Sequence, residues 1–384
     1  MRVLHLSMTG WNEREGIARA IAELVRRSPH EHHYAGPGQP SDHFAAVHGL
    51  RARVIPAPWS PALRAVLRSV RPDLVHVHGG EAAALFPLCG DLRDTPVVVS
   101  IYGRATQVPR LRPSSAAWRD VRSTPNGGLR RALVSGLAWP ATRLALATGH
   151  VSAICTPDDE VARRFARSGR VVLARGAASV RPRISAWSDT PTISFAGRAE
   201  RARGLDDLLA AFGLVRLELP AARLRLHLLP GRSSTSWTDA PPGVEIVTAT
   251  STDLETDLGR AQVVALPFRF NLTMTPPLVA AEAMSVGVPV VASDVSGAAA
   301  LVRDGGNGRL VPPGHPQALA GALLDVLSGP DRWERLAEGA HRTIAERWSW
   351  DHAAAAVSRT YLDVLTGATP GERGAIATTP GAAA

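Results

Sequence analysis

The sequence contains no lysine and only two cysteines, Cys89 and Cys155. Because two cysteines cannot build a disulfide framework, the small disulfide-rich secreted domains are excluded. No run of about 18 apolar residues occurs, so we expect no membrane-spanning helix. The first residues, Met1–Gly10, are interrupted by Arg2 and His5, which is not typical of a secretory signal peptide. We therefore expect a cytoplasmic protein that can associate peripherally with the inner face of the membrane.

Three patterns that mark metal and dinucleotide sites are also missing. The chain has no Asp-x-Asp triplet, and paired carboxylates of this kind hold a divalent cation on a diphosphate. The sequence His30-Glu31-His32-His33 is rich in ligand atoms, but it lacks zinc-site spacing and is predicted to form a strand or turn. Gly36-Pro37-Gly38 lacks the third glycine of a dinucleotide fingerprint. We expect neither a bound metal nor a resident cofactor.

The composition is that of a globular protein. Hydrophobic residues make up 45% and charged residues 20% of the 384 positions, which excludes disorder for most of the chain. At roughly 100–200 residues per domain, this length predicts two domains. The 43 basic residues against 34 acidic ones give a net charge of +9. Because all 43 basic residues are arginine, an arginine at a position where other proteins have lysine says little about the function of that position.

Short apolar runs that are typical of buried strands alternate with helical stretches along both halves of the chain. The clearest predicted strands are Val3–Ser7, Leu74–His78, Val97–Ile101, Val151–Thr156, Thr192–Ala196, Leu224–Leu229, Gln262–Leu266 and Val288–Ser293. Strands that alternate with helices imply crossover connections and parallel sheets. We predict an α/β protein with two doubly wound, Rossmann-like domains that face a cleft. Ligands of such sheets bind beyond the carboxyl ends of the strands.

Proline and polar residues mark the boundary between the predicted domains. The segment Arg181–Pro191 contains two prolines and is read as a linker between residues 1–180 and residues 192–347. Residues 348–366 form a predicted closing helix. Residues 367–384 consist mainly of glycine, alanine, threonine and proline, and we expect a disordered tail there.

Two arginines follow the predicted strand Thr192–Ala196. Gly197 permits a tight turn, and Arg198 and Arg203 can then point from one loop into the cleft. Guanidinium groups are forked donors that suit a diphosphate. In a chain with so many arginines, the alternative is that both are solvated loop residues.

A second group of candidates follows the predicted strand Gln262–Leu266. Pro277 suits the first position of a helix, and the amides of Leu278 and Val279 would be unpaired at the helix start. That end of a helix favours an anion such as phosphate. Glu282 lies about one turn further and could accept hydrogen bonds from ribose hydroxyls. The alternative is a glutamate on the helix surface.

These motifs together resemble those of a known family. The set comprises Gly197-Arg198, Arg203-Gly204, Pro277-Leu278, Glu282-Ala283-Met284, Gly287, Pro289 to Ser293 and Asp304-Gly305 to Asn307-Gly308. Its order and spacing resemble the nucleotide-sugar domain of GT-B glycosyltransferases, and more narrowly retaining family 4, the glycosyl transferases group 1. In the first half, Gly16 before a helix, Pro72 to His78 and Cys155-Thr156-Pro157 agree with this resemblance. The ending Trp348 to Asp351 resembles the family's last helix, which crosses back to the first domain.

The resemblance implies roles for individual residues. Arg198, with Arg203 at the family's lysine position, would neutralise the departing diphosphate and so lower the barrier. The amides of Leu278 and Val279 would hold the phosphate, and Glu282 would hold the ribose. Residues 1–180 would then bind the acceptor and residues 192–347 the donor. The implied reaction moves a sugar from a nucleotide-diphosphate sugar to an acceptor hydroxyl, with retention of configuration, without metal, in glycan biosynthesis.

Two positions depart from the family pattern. Met274 stands eight residues before Glu282, where relatives carry a glutamate that contacts the donor sugar. Tyr102 stands where a histidine is frequent; it could contact the sugar or merely pack, and His78 on the acceptor side is the nearest other polar group. The alternative hypothesis is therefore a catalytically impaired homologue or partner subunit that binds sugar nucleotides.

Positive charge is concentrated between Arg104 and Arg143. This segment has eight arginines and one acidic residue, Asp120. Such a patch could meet an anionic membrane surface, a lipid-linked acceptor or an acidic glycan, or it could be a solvated insertion. No recognised nucleic-acid module occurs. The expected partners are a nucleotide-diphosphate sugar and a glycan, lipid-linked or small-molecule acceptor, and no nucleic acid.

Overall fold

The computed structural model describes residues 1–7, 11, 16–40, 43–49, 61–79, 92, 95–103, 128–199, 201–229, 240–248, 254–269, 275–295 and 297–368. Within these ranges the chain forms two parallel sheets with helices on their faces. None of the helices in the described ranges is long and apolar enough to cross a lipid bilayer.

The first domain is built on a sheet of seven parallel strands in the order β3-β2-β1-β4-β5-β6-β7. The strands are β1 (Arg2–Ser7), β2 (Glu31–Gly36), β3 (Ala46–Gly49), β4 (Leu74–Gly79), β5 (Val97–Ile101), β6 (Ala153–Thr156) and β7 (Val171–Leu173). Its helices are α1 (Gly16–Arg26), α2 (Pro61–Val70), α3 (Gly128–Ala147) and α4 (Asp159–Phe165). Strands β4, β5 and β6 are buried along their whole length, which explains their mainly apolar sequences, and β4 also carries the buried His76 and His78.

The second domain has six parallel strands in the order β10-β9-β8-β11-β12-β13. They are β8 (Thr192–Arg198), β9 (Arg223–Leu229), β10 (Val244–Thr248), β11 (Val263–Leu266), β12 (Val290–Ser293) and β13 (Gly308–Val311). The helices are α5 (Leu205–Glu218), α6 (Leu254–Leu258), α7 (Leu278–Ser285), α8 (Pro316–Val326) and α9 (Pro330–Thr343). One continuous core of apolar side chains joins this sheet to its helices.

Each sheet has a point at which the strand order reverses direction. In the first sheet it lies between β1 and β4, and in the second sheet between β8 and β11. Crevices at such points, beyond the carboxyl ends of the strands, are where doubly wound sheets bind ligands. The segments that follow β1, β8 and β11 are therefore the places to look for a site.

The last helix returns to the first domain. A π-helical turn, Ile344–Trp348, leads to Ser349, which is the N-cap of α10 (Trp350–Thr366). The Ser349 hydroxyl accepts a 3.2 Å hydrogen bond from the His352 amide. The buried side chains of Trp350 and Tyr361 pack in one cluster with first-domain residues from β1, α1 and β4. The predicted crossover is thus present, and it ties the end of the chain to the first sheet.

The linker runs along the second domain. The Ser185 hydroxyl donates a 2.8 Å hydrogen bond to the carbonyl of Gly287, and Arg183 pairs with Glu334 of α9. These contacts hold residues 181–191 against that domain without regular secondary structure.

Several local expectations were wrong. Gly197 does not form a turn, because Gly197 and Arg198 continue β8 and pair with β9. The turn comes instead at Gly204, which has φ +71°. Pro277 is the N-cap of α7 rather than its first helical residue. The sequence pattern also missed β3 and the helices α2 and α3. Of the predicted tail, residues 369–384 lie outside the described residues.

Candidate functional site

The loop after β8 packs tightly against the loop after β11. A β-carbon added to Gly204 would lie 1.9 Å from the carbonyl oxygen of Pro267, and its positive φ also favours glycine. The guanidinium carbon of Arg203 lies 5.0 Å from the centre of the Phe268 ring, within the range of a cation–π contact. The two loops at the strand-order reversal therefore form one surface that includes Arg203.

A buried ion pair fastens the same two loops. Arg269 donates to both carboxylate oxygens of Asp207, through Nε at 2.7 Å and Nη2 at 2.6 Å. The Arg269 amide also donates a 3.0 Å hydrogen bond to the carbonyl of Ala202. Because the pair is bidentate, it fixes orientation as well as distance. It holds the start of α5 against the chain that leads to α7.

Helix α7 begins where the two domains meet. Leu278 packs against the core of the second domain and also against the cluster of the first domain that contains Tyr102. The amides of Leu278 and Val279 are the first in the helix, so they have no partner within it. In the chain before the helix, the Thr275 amide donates a 2.8 Å hydrogen bond to the carbonyl of Tyr102 at the end of β5. The start of α7 is thus held against the first domain.

Glu282 is a buried carboxylate at this interface and not a residue of the helix surface. Its side chain is 4% exposed, and Oε1 accepts a hydrogen bond from Nη1 of Arg19 in the first domain. Burial raises the pKa of Glu282 to about 7, Arg19 opposes that rise and Glu255 adds to it. A carboxyl with such a pKa changes its charge near neutral pH, so its neighbours decide whether it is an anion.

Gly16 lies at the beginning of α1, three residues before Arg19. Helix α1 brings Arg19 to the domain interface, where it contacts Glu282 of α7. Arg19 also donates a 2.8 Å hydrogen bond from Nη2 to Oε1 of Glu255 on α6. Sequence reasoning missed Arg19 and Glu255, because a single arginine in a helix carries no signal for a contact more than 200 positions away.

Histidine side chains beneath the first sheet form a hydrogen-bonded chain. His32 Nδ1 is 2.8 Å from His5 Nε2, His5 Nδ1 is 2.8 Å from His78 Nε2, and His78 Nδ1 is 2.9 Å from the Tyr102 hydroxyl. Burial lowers the pKa of His78 to about 3 and that of His32 to about 4, and it raises the pKa of Tyr102 above its ordinary value. The chain is therefore neutral at physiological pH, and the Tyr102 hydroxyl lies inside the first domain.

Ring nitrogens of His5, His76 and His78 lie within 4.8 Å of one another, a spacing that can hold a metal ion. Two features favour the hydrogen-bonded chain instead. The 2.8 Å separation of His5 Nδ1 and His78 Nε2 is shorter than the about 3.3 Å between two nitrogen ligands of a tetrahedral zinc ion. Both ring nitrogens of His76 already have hydrogen-bond partners, Nδ1 at 2.5 Å from the Tyr361 hydroxyl and Nε2 at 2.7 Å from the Ser100 hydroxyl.

The predicted site residues that the structure describes fall into three groups. Arg198 ends β8, and Arg203 packs on Phe268 after β11. Leu278 and Glu282 lie at the domain interface, with Val279 beside Leu278, and Gly16 begins α1. His78 and Tyr102 lie deeper, in the histidine chain. Met274 and residues 104–127 of the basic segment lie outside the described residues.

Sequence comparison finds a family model that is similar to the second domain. Residues 190–329 match the family model described as Glycosyl transferases group 1. A D-inositol 3-phosphate glycosyltransferase of Streptomyces coelicolor is 32% identical over 207 residues, which is 49% of this chain and 44% of that protein. The enzyme of the same name from Thermomonospora curvata is 34% identical over 236 residues, covering 56% and 51%. The chain thus spans about half the length of the curated relatives it matches.

Solved structures match the fold along almost the whole chain. Sucrose-phosphate synthase from Thermosynechococcus elongatus superposes with a TM-score of 0.71 at 17% identity, covering 96% of this chain and all of that one. HepE of Anabaena in complex with UDP superposes with a TM-score of 0.66 at 15% identity, with 96% and 100% coverage. The predicted fold, two facing Rossmann-like domains of the GT-B type, is confirmed, and so is the resemblance to the glycosyl transferases group 1.

Proposed function

Because the chain has the GT-B fold and carries a glycosyl transferases group 1 domain, we propose that it is a glycosyltransferase. It moves a sugar from a nucleotide-diphosphate sugar to an acceptor hydroxyl. The observation that carries this proposal is the position of three residues of the matched domain. Arg198 ends β8 at the carboxyl edge of the second sheet, and Leu278 and Glu282 of α7 contact the first domain. HepE, one of the structures with the same fold, is described in complexes with UDP and with UDP-glucose.

In the proposed donor site, cations and helix amides face the diphosphate. Arg198 and Arg203 neutralise the negative charge that grows on the leaving group in the transition state. The amides of Leu278 and Val279 hold a phosphate oxygen at the start of α7. Glu282 accepts hydrogen bonds from the ribose hydroxyls. The support is the adjacency of the loops after β8 and β11, which share the Gly204–Pro267 contact.

We propose that transfer retains the anomeric configuration and needs no metal. The acceptor oxygen forms a bond to the anomeric carbon on the face from which the diphosphate departs. The diphosphate takes the electron pair of the broken bond, and one of its oxygens takes the acceptor proton. This step needs no protein base. Proton NMR of the product's anomeric signal tests retention, and a transfer rate unchanged by EDTA tests the absence of a metal.

The acceptor is proposed only by class. The curated relatives are named for D-inositol 3-phosphate, but those relatives share only about half of their length with this chain. The basic segment from Arg104 to Arg143 favours an acceptor that carries negative charge or sits at an anionic lipid surface. Acidic glycans, lipid-linked sugars and small phosphorylated molecules all fit this description. Measuring binding to vesicles with and without anionic lipid would distinguish an acceptor at a membrane surface from an acceptor free in solution.

Isothermal titration with UDP, GDP and ADP tests the donor site. We expect wild type to bind at least one nucleotide, and Arg198→Ala to weaken that binding by about tenfold or more, since a charge-assisted hydrogen bond is lost. Arg335→Ala is the matched control, because Arg335 is exposed on α9 of the same domain. Binding of none of the three nucleotides, or equal binding by wild type and Arg198→Ala, would contradict the assignment.

A second candidate function is a sugar-nucleotide binder with impaired catalysis. Two observations favour it: Met274 replaces the glutamate expected to contact the sugar, and the Tyr102 hydroxyl is held by His78 inside the first domain. This candidate predicts nucleotide binding with neither transfer nor slow hydrolysis of the donor. Release of sugar from UDP-glucose or a related donor would count against it.

A further inference from the structure

Arg19 is the residue that joins the proposed ribose-binding carboxylate to the other domain. From α1 of the first domain it reaches two helices of the second: Nη1 donates to Glu282 Oε1 on α7, and Nη2 donates to Glu255 Oε1 on α6 at 2.8 Å. Its side chain is 24% exposed, while those of Glu282 and Glu255 are 4% and 9% exposed. The three side chains form a charged cluster that is largely withdrawn from water.

The two oxygens of Glu282 differ in their surroundings. Oε1 is held by Arg19, whereas Oε2 has no hydrogen bond to any of the residues that the structure describes. A carboxylate can accept several hydrogen bonds, so an ordered Oε2 can accept a further donor. The arginine contact therefore orients the carboxylate and leaves one oxygen for a ligand.

The same contact controls the charge on Glu282. Burial favours the protonated form, and Glu255 on α6 favours it further, while Arg19 on α1 and Arg181 in the linker favour the anion. Arg181 Nη2 lies 3.7 Å from Glu255 Oε2, so Arg181 also pairs with Glu255. Without Arg19, Glu282 would be a buried carboxyl beside another acidic residue. Such a group takes up a proton rather than stay charged.

We propose that Arg19 is a positioning residue of the donor site, which keeps Glu282 ionised and oriented so that Oε2 accepts a hydrogen bond from a ribose hydroxyl of the nucleotide. The proposal rests on the proposed function, because it assumes that a nucleotide binds at Glu282. It also has a structural consequence. Since Arg19 belongs to the first domain, the ribose contact is complete only when the two domains are together.

The decisive comparison uses two ligands that differ only in the ribose hydroxyls. Wild type, Arg19→Gln and Arg19→Lys are titrated as full-length proteins with UDP and with 2′,3′-dideoxyuridine 5′-diphosphate; if GDP or ADP is the preferred nucleotide, its own dideoxy pair is used. Arg26→Gln is the control, because Arg26 lies on the same helix and pairs with Glu23 of that helix. Circular dichroism and thermal melting of each variant verify folding.

We expect Arg19→Gln to weaken binding of the ribonucleotide by about tenfold or more, the loss of a hydrogen bond to a charged acceptor. Binding of the dideoxy analogue should change little, because it makes no contact with Glu282. The ribonucleotide affinity of Arg19→Gln should recover as the pH is raised from 7 toward 9, since Glu282 then ionises without its partner. Arg19→Lys should retain more affinity than Arg19→Gln, and Arg26→Gln should resemble wild type.

Other outcomes overturn the proposal. If Arg19→Gln weakens both ligands equally at every pH, the residue acts only through general folding. If Arg19→Gln binds the ribonucleotide more tightly, Arg19 competes with the ribose instead of supporting its contact. If wild type binds nucleotide and Arg19→Gln matches it, this inference fails while the proposed function stands. If wild type binds no nucleotide, the proposed function fails and this inference falls with it.

Discussion

The α-carbon of Gly204 faces the carbonyl oxygen of Pro267 so closely that a β-carbon on residue 204 would lie 1.9 Å from that oxygen. This contact seats the loop after β8 on the loop after β11. It leaves no room for any side chain at residue 204, and the φ of +71° adds a second reason for glycine.

We therefore expect Gly204→Ala to lower the free energy of unfolding by about 2 kcal/mol or more and to weaken nucleotide binding. Gly213 offers a matched control within α5. A β-carbon there would meet nothing within 4 Å, so Gly213→Ala should raise stability by about 0.5–1 kcal/mol. Chemical denaturation of both variants measures the difference. Equal stability of the two variants would refute the close contact.

Acid should destabilise the first domain through its buried histidines. Burial holds the pKa of His78 at about 3 and of His32 at about 4, whereas the unfolded chain titrates near 6.5. Above pH 6.5 neither state binds these protons, so these histidines do not make stability depend on pH. As the pH falls toward 4, the unfolded state gains protons that the folded state cannot take. Each such histidine then lowers the free energy of unfolding by about 1.4 kcal/mol per pH unit.

Denaturation curves at pH 7, 6 and 5 measure this loss of stability. The variant His78→Gln should flatten the slope between pH 6.5 and 5, although it is less stable at pH 7. The exposed His43 supplies the control, and His43→Gln should keep the wild-type slope. A wild-type stability that is constant from pH 7 to pH 5 would contradict the burial of the histidine chain.

Tyr102→Phe separates a structural role from a catalytic one. The Tyr102 hydroxyl is 2.9 Å from His78 Nδ1, and the side chain packs in the first-domain core. Removing the hydroxyl leaves His78 Nδ1 without that partner, so we expect a stability loss of about 1–2 kcal/mol. Nucleotide affinity and the rate of donor hydrolysis should not change. A large fall in hydrolysis with unchanged stability would show instead that the hydroxyl reaches the donor sugar.

Asp207→Asn should loosen the loop before α7. Asp207 accepts both hydrogen bonds of the Arg269 fork, and the amide of asparagine can accept only one of them. We expect a loss of about 1–3 kcal/mol in stability, together with weaker nucleotide binding. Asp206→Asn removes the same charge from the exposed neighbouring residue and should do neither. Identical melting temperatures and affinities for the two variants would refute the role of the ion pair.

Periodicity and motif spacing were enough to predict the two parallel sheets. Strands such as Val97–Ile101 are buried on both faces, so their apolar runs are continuous and easily recognised. Strand β2 was harder to predict, because its sequence is Glu-His-His-Tyr-Ala-Gly and its His32 is buried in the histidine chain. Nothing in a local pattern distinguishes a buried, hydrogen-bonded histidine from a solvated one.

The sequence alone was sufficient to predict the architecture and to select the arginines, the helix start and the glutamate of the proposed donor site. Strand burial, helix starts and motif spacing depend on neighbouring residues, so a local pattern reveals them. The hydrogen-bond and charge partners of Glu282, in contrast, could be identified only from the folded structure. Glu255 is 27 positions away in the same domain, and Arg19 is 263 positions away in the other domain. Arg19 therefore meets Glu282 only where the two domains are in contact. A pKa depends on distance and desolvation in space, so whether Glu282 is an anion could be learned only from the folded chain.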